Sequence, residues 1–196
     1  MTTNEANILT SSGLEFHPFN PQLDQISIED IAHGISLECR WGRQSKFFYS
    51  VADHSIMVSK VAEWLATDEN KKEAKLGGLF HDATEAYIGD CPAPIKKSLP
   101  QFMALEDGIW QAIALKFGLS YILRPEIHHA DIIVRIIEAK QVLIKYPRWL
   151  DEVQKEYGLT TDDIELVRLK LDLVCNPSSF EHSKENFLNR YKELIS

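Results

Sequence analysis

Cysteine, basic charge and long apolar runs are all scarce in this chain, and each scarcity narrows what it can be. Three cysteines, Cys39, Cys91 and Cys175, are scattered over 196 residues. An odd, dispersed set gives no disulfide framework, so a reducing cytoplasm is the expected setting. No apolar run approaches the roughly 20 residues that span a bilayer. The start, Met1-Thr2-Thr3-Asn4-Glu5, lacks the basic and apolar regions of a signal peptide, so no membrane partner is expected. Lys and Arg number 21 against 29 Asp and Glu, a net charge of −8. A nucleic-acid polymer would call for a basic face and is not expected. A small anion can still be held where positive charge is gathered locally. Alternating strand patterns, internal repeats and low-complexity tracts are lacking too.

What is present is helix. Hydrophobic content of 44% and charged content of 26% are ordinary for a globular domain, and the length suits one domain with a substantial core. The expected architecture is all-α and compact, with an extended arm over 1–26, a core over 27–145 and C-terminal helices over 146–196. Ser27-Ile28-Glu29-Asp30 and Ser50-Val51-Ala52-Asp53 are capping boxes. The first opens a helix with Ile28, Ile31, Ile35 and Cys39 on its apolar side, ending in Arg40-Trp41-Gly42-Arg43. The second opens a helix striped with Val51, Val58, Val61 and Leu65, and His54 falls on that stripe. A third helix is expected over about 72–88, stopped by Gly89 and kept from resuming by Pro92 and Pro94. Others are expected near 101–117, 126–144, 161–174 and 178–194, with Pro125, Thr161 and Ser178 as starts of the last three.

Four residues carry the chemistry: His54, His81, Asp82 and Asp131. Each sits on an otherwise apolar helix, where an unpaired charge is costly. Glu85 follows His81 and Asp82 by about one turn, placing all three on one flank. Two imidazoles and two carboxylates make a mixed N/O donor set for one divalent metal ion. The ion is left open among Mn, Co, Fe, Ni, Mg and Zn, although the set suits the first five better than the closed tetrahedral zinc of a structural site. Arg40, Arg43, Lys46, Lys96 and Lys97 are the candidates to gather positive charge for a small anion, Trp41 offers a flat aromatic face, and Asp90 offers an acceptor just past the helix end. Each has a plainer alternative. His54 can be a satisfied core histidine, Trp41 a core aromatic, Glu85 a solvated helix position, Asp90 a turn residue and Lys96-Lys97 an exposed pair. His128 and His129 read as surface or supporting residues and Cys91 as a small apolar filler.

His54, then His81-Asp82, then Asp131 resembles the H…HD…D signature of the HD-domain metal-dependent phosphohydrolases. Arg40-Trp41, Glu85, Asp90 and Pro92-Ala93-Pro94 resemble the corresponding residues of its bacterial and phage 5′-deoxynucleotidase branch, over roughly 26–145. The resemblance implies a compact HD-domain helical bundle and a divalent metal on His54, His81, Asp82 and Asp131. It implies that Arg40 and Trp41 contact a small nucleotide, that Glu85 assists the attacking water and that Asp90 reads the sugar. The expected activity is a nucleotide phosphohydrolase acting on a deoxynucleoside 5′-phosphate. Two alternatives stand beside it: a deoxynucleoside triphosphate triphosphohydrolase, and a nucleotide-binding module without turnover. Oligomeric state is open. Phe187, Leu188, Tyr191, Leu194 and Ile195 on the last helix can serve either the core or a second subunit of a homo-oligomer.

Overall fold

A computed structural model describes residues 7–196, so the first six residues of the expected arm lie outside the described residues. Ten helices make up nearly all of the described regular structure: α1 (Ile28–Leu37), α2 (Val51–Leu65), α3 (Lys71–Phe80), α4 (Glu85–Ile88), α5 (Ala93–Lys96), α6 (Pro100–Phe117), α7 (Pro125–Val142), α8 (Trp149–Glu156), α9 (Thr161–Lys170) and α10 (Phe180–Ile195). The all-α bundle expected from the sequence is therefore the fold. Both caps start helices as read, with Ser27 Oγ accepting the Asp30 amide and Ser50 Oγ the Asp53 amide. Only Ser50 and Asp53 complete the reciprocal box, since the Asp30 carboxylate takes the Ser11, Ser12 and Ser27 hydroxyls instead. Among the described residues no helix is long and apolar enough to cross a membrane, and all three cysteines are free.

α2 and α7 form the centre. α2 packs along α3 and α7 and also touches α10. α7 buries Ile127, Ile132, Ile133, Val134, Ile136 and Ile137, so it is apolar around most of its circumference, as a central helix must be. Phe187 and Leu194 of α10 are buried against the body and Ile195 is exposed. Gly78 on α3 is essential to the spacing. A β-carbon there would lie 3.1 Å from Ser59 Cα and 3.2 Å from Ala62 Cβ, so its absence lets α3 close on α2 and brings His81 beside His54.

Four expectations need correction. The helix expected over 72–88 is broken into α3 and α4 by a turn at 81–84. There the amides reach back three residues instead of four: Ala83 to Phe80 O at 2.8 Å, Glu85 to Asp82 O at 3.1 Å and Tyr87 to Thr84 O at 3.0 Å. Three residues per turn put positions i and i+3 directly over one another, which aligns Asp82 with Glu85. Neither Ala83 nor Thr84 announces such tightening in sequence. The arm, second, contains a short antiparallel hairpin of β1 (Ile8–Leu9) and β2 (Glu15–Phe16), too short to show alternation. Ser11 and Ser12 hydroxyls tie it to Asp30 at 2.7 and 2.5 Å, and Phe16, fully buried, stacks on Tyr87 with ring centroids 3.9 Å apart. Third, α5 and α8 went unread: Pro92 stands at the cap of α5 and Pro94 in its first turn, where proline is tolerated. Finally, α9 starts at Thr161 as expected but ends at Lys170, before Asp172 takes a positive φ of 49°, and α10 is capped by Ser179 in place of Ser178.

Gly34 on α1 sits where α4 crosses, and α4 carries Glu85. A β-carbon there would lie 2.6 Å from Ala86 O and 2.7 Å from Ala86 Cα, both backbone atoms that cannot swing away. Gly34→Ala is expected to destabilise by about 1–3 kcal/mol through overpacking, outweighing the roughly 1 kcal/mol that Ala gains over Gly in a helix. Thermal melting checks this, since a raised Tm would contradict the close approach.

Candidate active site

Three separate pieces of chain meet at one point. The capping box of α2 sets His54 one turn into that helix, where it is fully buried. The end of α3 delivers His81, and the tight turn that follows delivers Asp82. The middle of α7 delivers Asp131. His54 Nε2 lies 3.2 Å from His81 Nε2, 3.3 Å from Asp131 Oδ1 and 3.6 Å from Asp82 Oδ2; His81 Nε2 lies 3.1 Å from the same Asp82 oxygen. One donor atom from each of His54, His81 and Asp131 falls within 4.8 Å of the others. Asp82 borders this group while also accepting from Arg40 Nη1 at 3.2 Å.

The far side of each imidazole fixes its tautomer. His81 Nδ1 is 2.9 Å from the Gly78 carbonyl oxygen, which can only accept, so that nitrogen carries a hydrogen. His54 Nδ1 is 2.7 Å from Glu138 Oε1. Burial pushes the Glu138 carboxyl up, but His54 and Arg40 outweigh it and hold its pKa below the ordinary value, so it too is an ionised acceptor. In the neutral rings both Nε2 atoms therefore present bare lone pairs to one another across 3.2 Å, with carboxylates alongside. Lone pairs so placed repel unless a proton or a metal ion lies between them. This donor chemistry fits a divalent ion.

The surrounding charges have been pulled apart. Burial raises the carboxyls of Asp82 and Asp131, but for Asp82 the neighbouring His81, His54 and Arg40 win and hold it well below its ordinary range. Asp131 is likewise held down, by His54 beside it and by Arg135, which pairs with it one helical turn away. Glu85 goes the other way. Burial first, then the neighbouring Asp82 and Asp90, push its pKa well up. Its Oε2 is buried and has no hydrogen-bond partner among the described residues. A carboxylate with raised basicity and a free oxygen is equipped to receive a proton.

Over this cluster opens a cleft of about 500 Å³, a volume suited to a small organic ligand. Arg40, Trp41, Asp82, Glu85, Asp90, Lys96 and Asp131 line it, as do Cys91, Arg135 and Trp149. Arg40 is nine-tenths buried, and Asp82 and Glu138 hold its guanidinium. Trp41, Gly42 and Arg43 all take positive φ (59°, 56° and 67°), a left-handed turn that costs roughly 1–2 kcal/mol at each non-glycine residue. Such strain at a cleft wall persists because the flanks are pinned: the Arg40 amide bonds Tyr49 O, and the Val51 amide bonds Glu38 O, each at 3.0 Å.

Three residues picked from the sequence stand apart from the cleft lining: Lys46 is exposed and donates to the Gln141 carbonyl at 3.1 Å. Arg43 is exposed and pairs with Glu38 at 3.7 Å, and Lys97 is exposed beside Lys96. Lys96, by contrast, reaches the cleft while bonded to Glu106 at 2.7 Å. His128 is exposed and bonded to Tyr157 at 2.6 Å. Sequence reasoning passed over Glu138, Arg135, Tyr49 and Trp149. Glu138 had a usable signal, since it is seven residues from Asp131 on a helix and shares its face. Trp149 had none, because it rides on the unread α8.

A model of the YfbR-like 5′-deoxynucleotidase family matches residues 34–116. The Escherichia coli protein YfdR is 35% identical over 135 residues, covering 69% of this chain and 71% of its own. A Rhodobacter capsulatus protein is 33% identical over 138 residues, covering 67% and 70%. A 5′-deoxynucleotidase of Photobacterium profundum is 40% identical over a shorter stretch of 55 residues, 24% of this chain and 28% of its own. Residues 34–116 include Arg40-Trp41, His54, His81-Asp82, Glu85 and Asp90, while Asp131 and Glu138 follow on α7. The chain belongs to the YfbR-like 5′-deoxynucleotidase family of HD-domain phosphohydrolases and is a hydrolase of phosphoester bonds.

Proposed function

We propose that this protein is a nucleotide phosphohydrolase that removes the phosphate of a deoxynucleoside 5′-monophosphate, using one divalent ion held by His54, His81, Asp82 and Asp131. The observation that carries this reading is the pair of facing Nε2 atoms, flanked by two carboxylates, at the floor of a cleft with Arg40 on its wall. When bound, the ion supplies Lewis-acid stabilisation of a phosphoryl oxygen.

The chain's own residues do the rest. Phosphoryl transfer needs positioning and charge neutralisation more than covalent participation by the protein. Arg40, Lys96 and Arg135 bring positive charge to the cleft of an otherwise acidic chain and hold the phosphate. Glu85 Oε2 receives the proton of the attacking water, for which its raised pKa prepares it. Asp90 stands at the far side of the Gly89 turn, on the cleft wall, and meets a sugar hydroxyl. Trp41 and the half-exposed Trp149 give the base two aromatic surfaces, and stacking of this kind contributes about 1–3 kcal/mol per base. The name of the Photobacterium profundum relative agrees with a 5′-monophosphate substrate.

The test is a panel of deoxynucleoside and ribonucleoside mono-, di- and triphosphates with Mn²⁺, Co²⁺ and Mg²⁺ in turn, measuring phosphate, pyrophosphate and triphosphate separately. Inorganic phosphate and a free deoxynucleoside are expected from the 5′-monophosphates. Release of triphosphate from a deoxynucleoside triphosphate, with monophosphates untouched, would contradict the proposed substrate. Tight nucleotide binding with no product would contradict turnover.

A further inference from the structure

We propose that Glu138 is the positioning residue of the site: one buried carboxylate that aims His54 at the metal and Arg40 at the cleft together. The inference rests on the metal-dependent reading above and adds to it a residue outside the matched span of 34–116. Glu138 is fully buried and does not line the cleft, so it acts only through its neighbours. It has three of them. Oε1 accepts from His54 Nδ1 at 2.7 Å and from the Tyr49 hydroxyl at 3.0 Å, while Oε2 stands 3.4 Å from Arg40 Nε in an ion pair short of hydrogen-bond alignment.

The consequences follow from what a carboxylate can do. It only accepts, so it demands a hydrogen on His54 Nδ1 and leaves Nε2 bare toward His81 and Asp131. A donor at that position would reverse the ring and remove a ligand. The same carboxylate holds Arg40 from behind, while Asp82 holds it from the front at 3.2 Å. Tyr49 closes the arrangement twice, through its hydroxyl to Glu138 and through its carbonyl to the Arg40 amide at 3.0 Å. Metal ligand and phosphate-facing cation thus share one support. Glu138 also lies two turns beyond Asp131 on α7, so a single helix sets both the first carboxylate and the support behind it.

A merely structural Glu138, balancing a buried arginine, would affect stability alone. Co²⁺ binding by the full-length protein separates the two roles without any turnover. Wild type, Glu138→Gln and Glu138→Ala are titrated with Co²⁺, and their d–d absorption and Tm are recorded. Glu138→Ala is expected to weaken Co²⁺ binding by about 10–100-fold and to change the absorption, because His54 is no longer aimed. Glu138→Gln keeps a carbonyl oxygen for His54 Nδ1. It is expected to retain the wild-type absorption and to lose affinity by only about 3–10-fold, less than the roughly 10–100-fold usual for loss of such a partner. An alanine variant that folds and binds Co²⁺ within about twofold of wild type, with the same spectrum, overturns the inference. Should the alanine variant fail to fold, undiminished Co²⁺ affinity in Glu138→Gln overturns it instead. Wild-type protein that takes up no Co²⁺ contradicts the metal-dependent reading itself, a different result from an unaffected variant.

Discussion

His81→Ala and Asp82→Ala are each expected to lower phosphohydrolase activity on the order of 10³-fold or more, the several kcal/mol that a bound cation contributes to phosphoryl chemistry. Each removes a donor from a point where His54 Nε2, His81 Nε2 and Asp82 Oδ2 lie within 3.6 Å of one another. Metal content measured on the same preparations should fall with activity. The helices should survive, because His81 and Asp82 sit in a tight turn at the cleft and not in the apolar interior. The two changes differ in one respect. Asp82→Ala also removes the front partner of Arg40, whose charge then rests on Glu138 alone, so it should raise KM more than His81→Ala does. Full, metal-independent activity in either variant would end the proposed mechanism.

Glu85→Gln is the second large effect, and it should separate metal binding from chemistry. Glutamine matches glutamate in size, so α4 and its packing on α1 should be unchanged. What is lost is an oxygen able to take a proton. General-base contributions of this kind are worth about 10²–10⁴-fold, and the loss should appear in kcat with KM and metal content close to wild type. Thermal stability should hold or rise slightly, because burial, Asp82 and Asp90 already disfavour the charge on Glu85. A fall in metal content matching the fall in kcat would move Glu85 into the ligand set. Unchanged kcat would return it to a plain helix position.

How much of this the sequence revealed depended on whether a feature was local. Capping boxes are local, and Ser27 and Ser50 marked α1 and α2 correctly, which fixed the depth of His54 in its helix. Long periodic stretches are local as well, so α6 and α7 were read to within about two residues of their ends. The break at 81–84 was not legible. His81 and Thr84 keep helical backbone angles while the hydrogen-bond partner changes, from the fourth residue back to the third. Yet that change is what lines Asp82 up with Glu85. Glu138 shows the reverse case. A lone carboxylate between Ile137 and Ala139, on the face of Asp131, was as visible as Asp131 itself. It passes for a solvated position until the structure shows His54, Arg40 and Tyr49 gathered on it. Trp149 reaches the cleft from more than a hundred residues beyond Trp41, a closeness that only the packed bundle produces.

The central claim is that His54, His81, Asp82 and Asp131 grip a single divalent ion. Crystals grown with Mn²⁺ and measured at the manganese absorption edge test it most directly. The account predicts one strong anomalous peak between His54 Nε2 and His81 Nε2, within coordination distance of Asp131 and Asp82, with the two ring nitrogens moved apart from 3.2 Å to admit it. No peak there, or manganese bound elsewhere on the surface while the two nitrogens stay in contact, would contradict it.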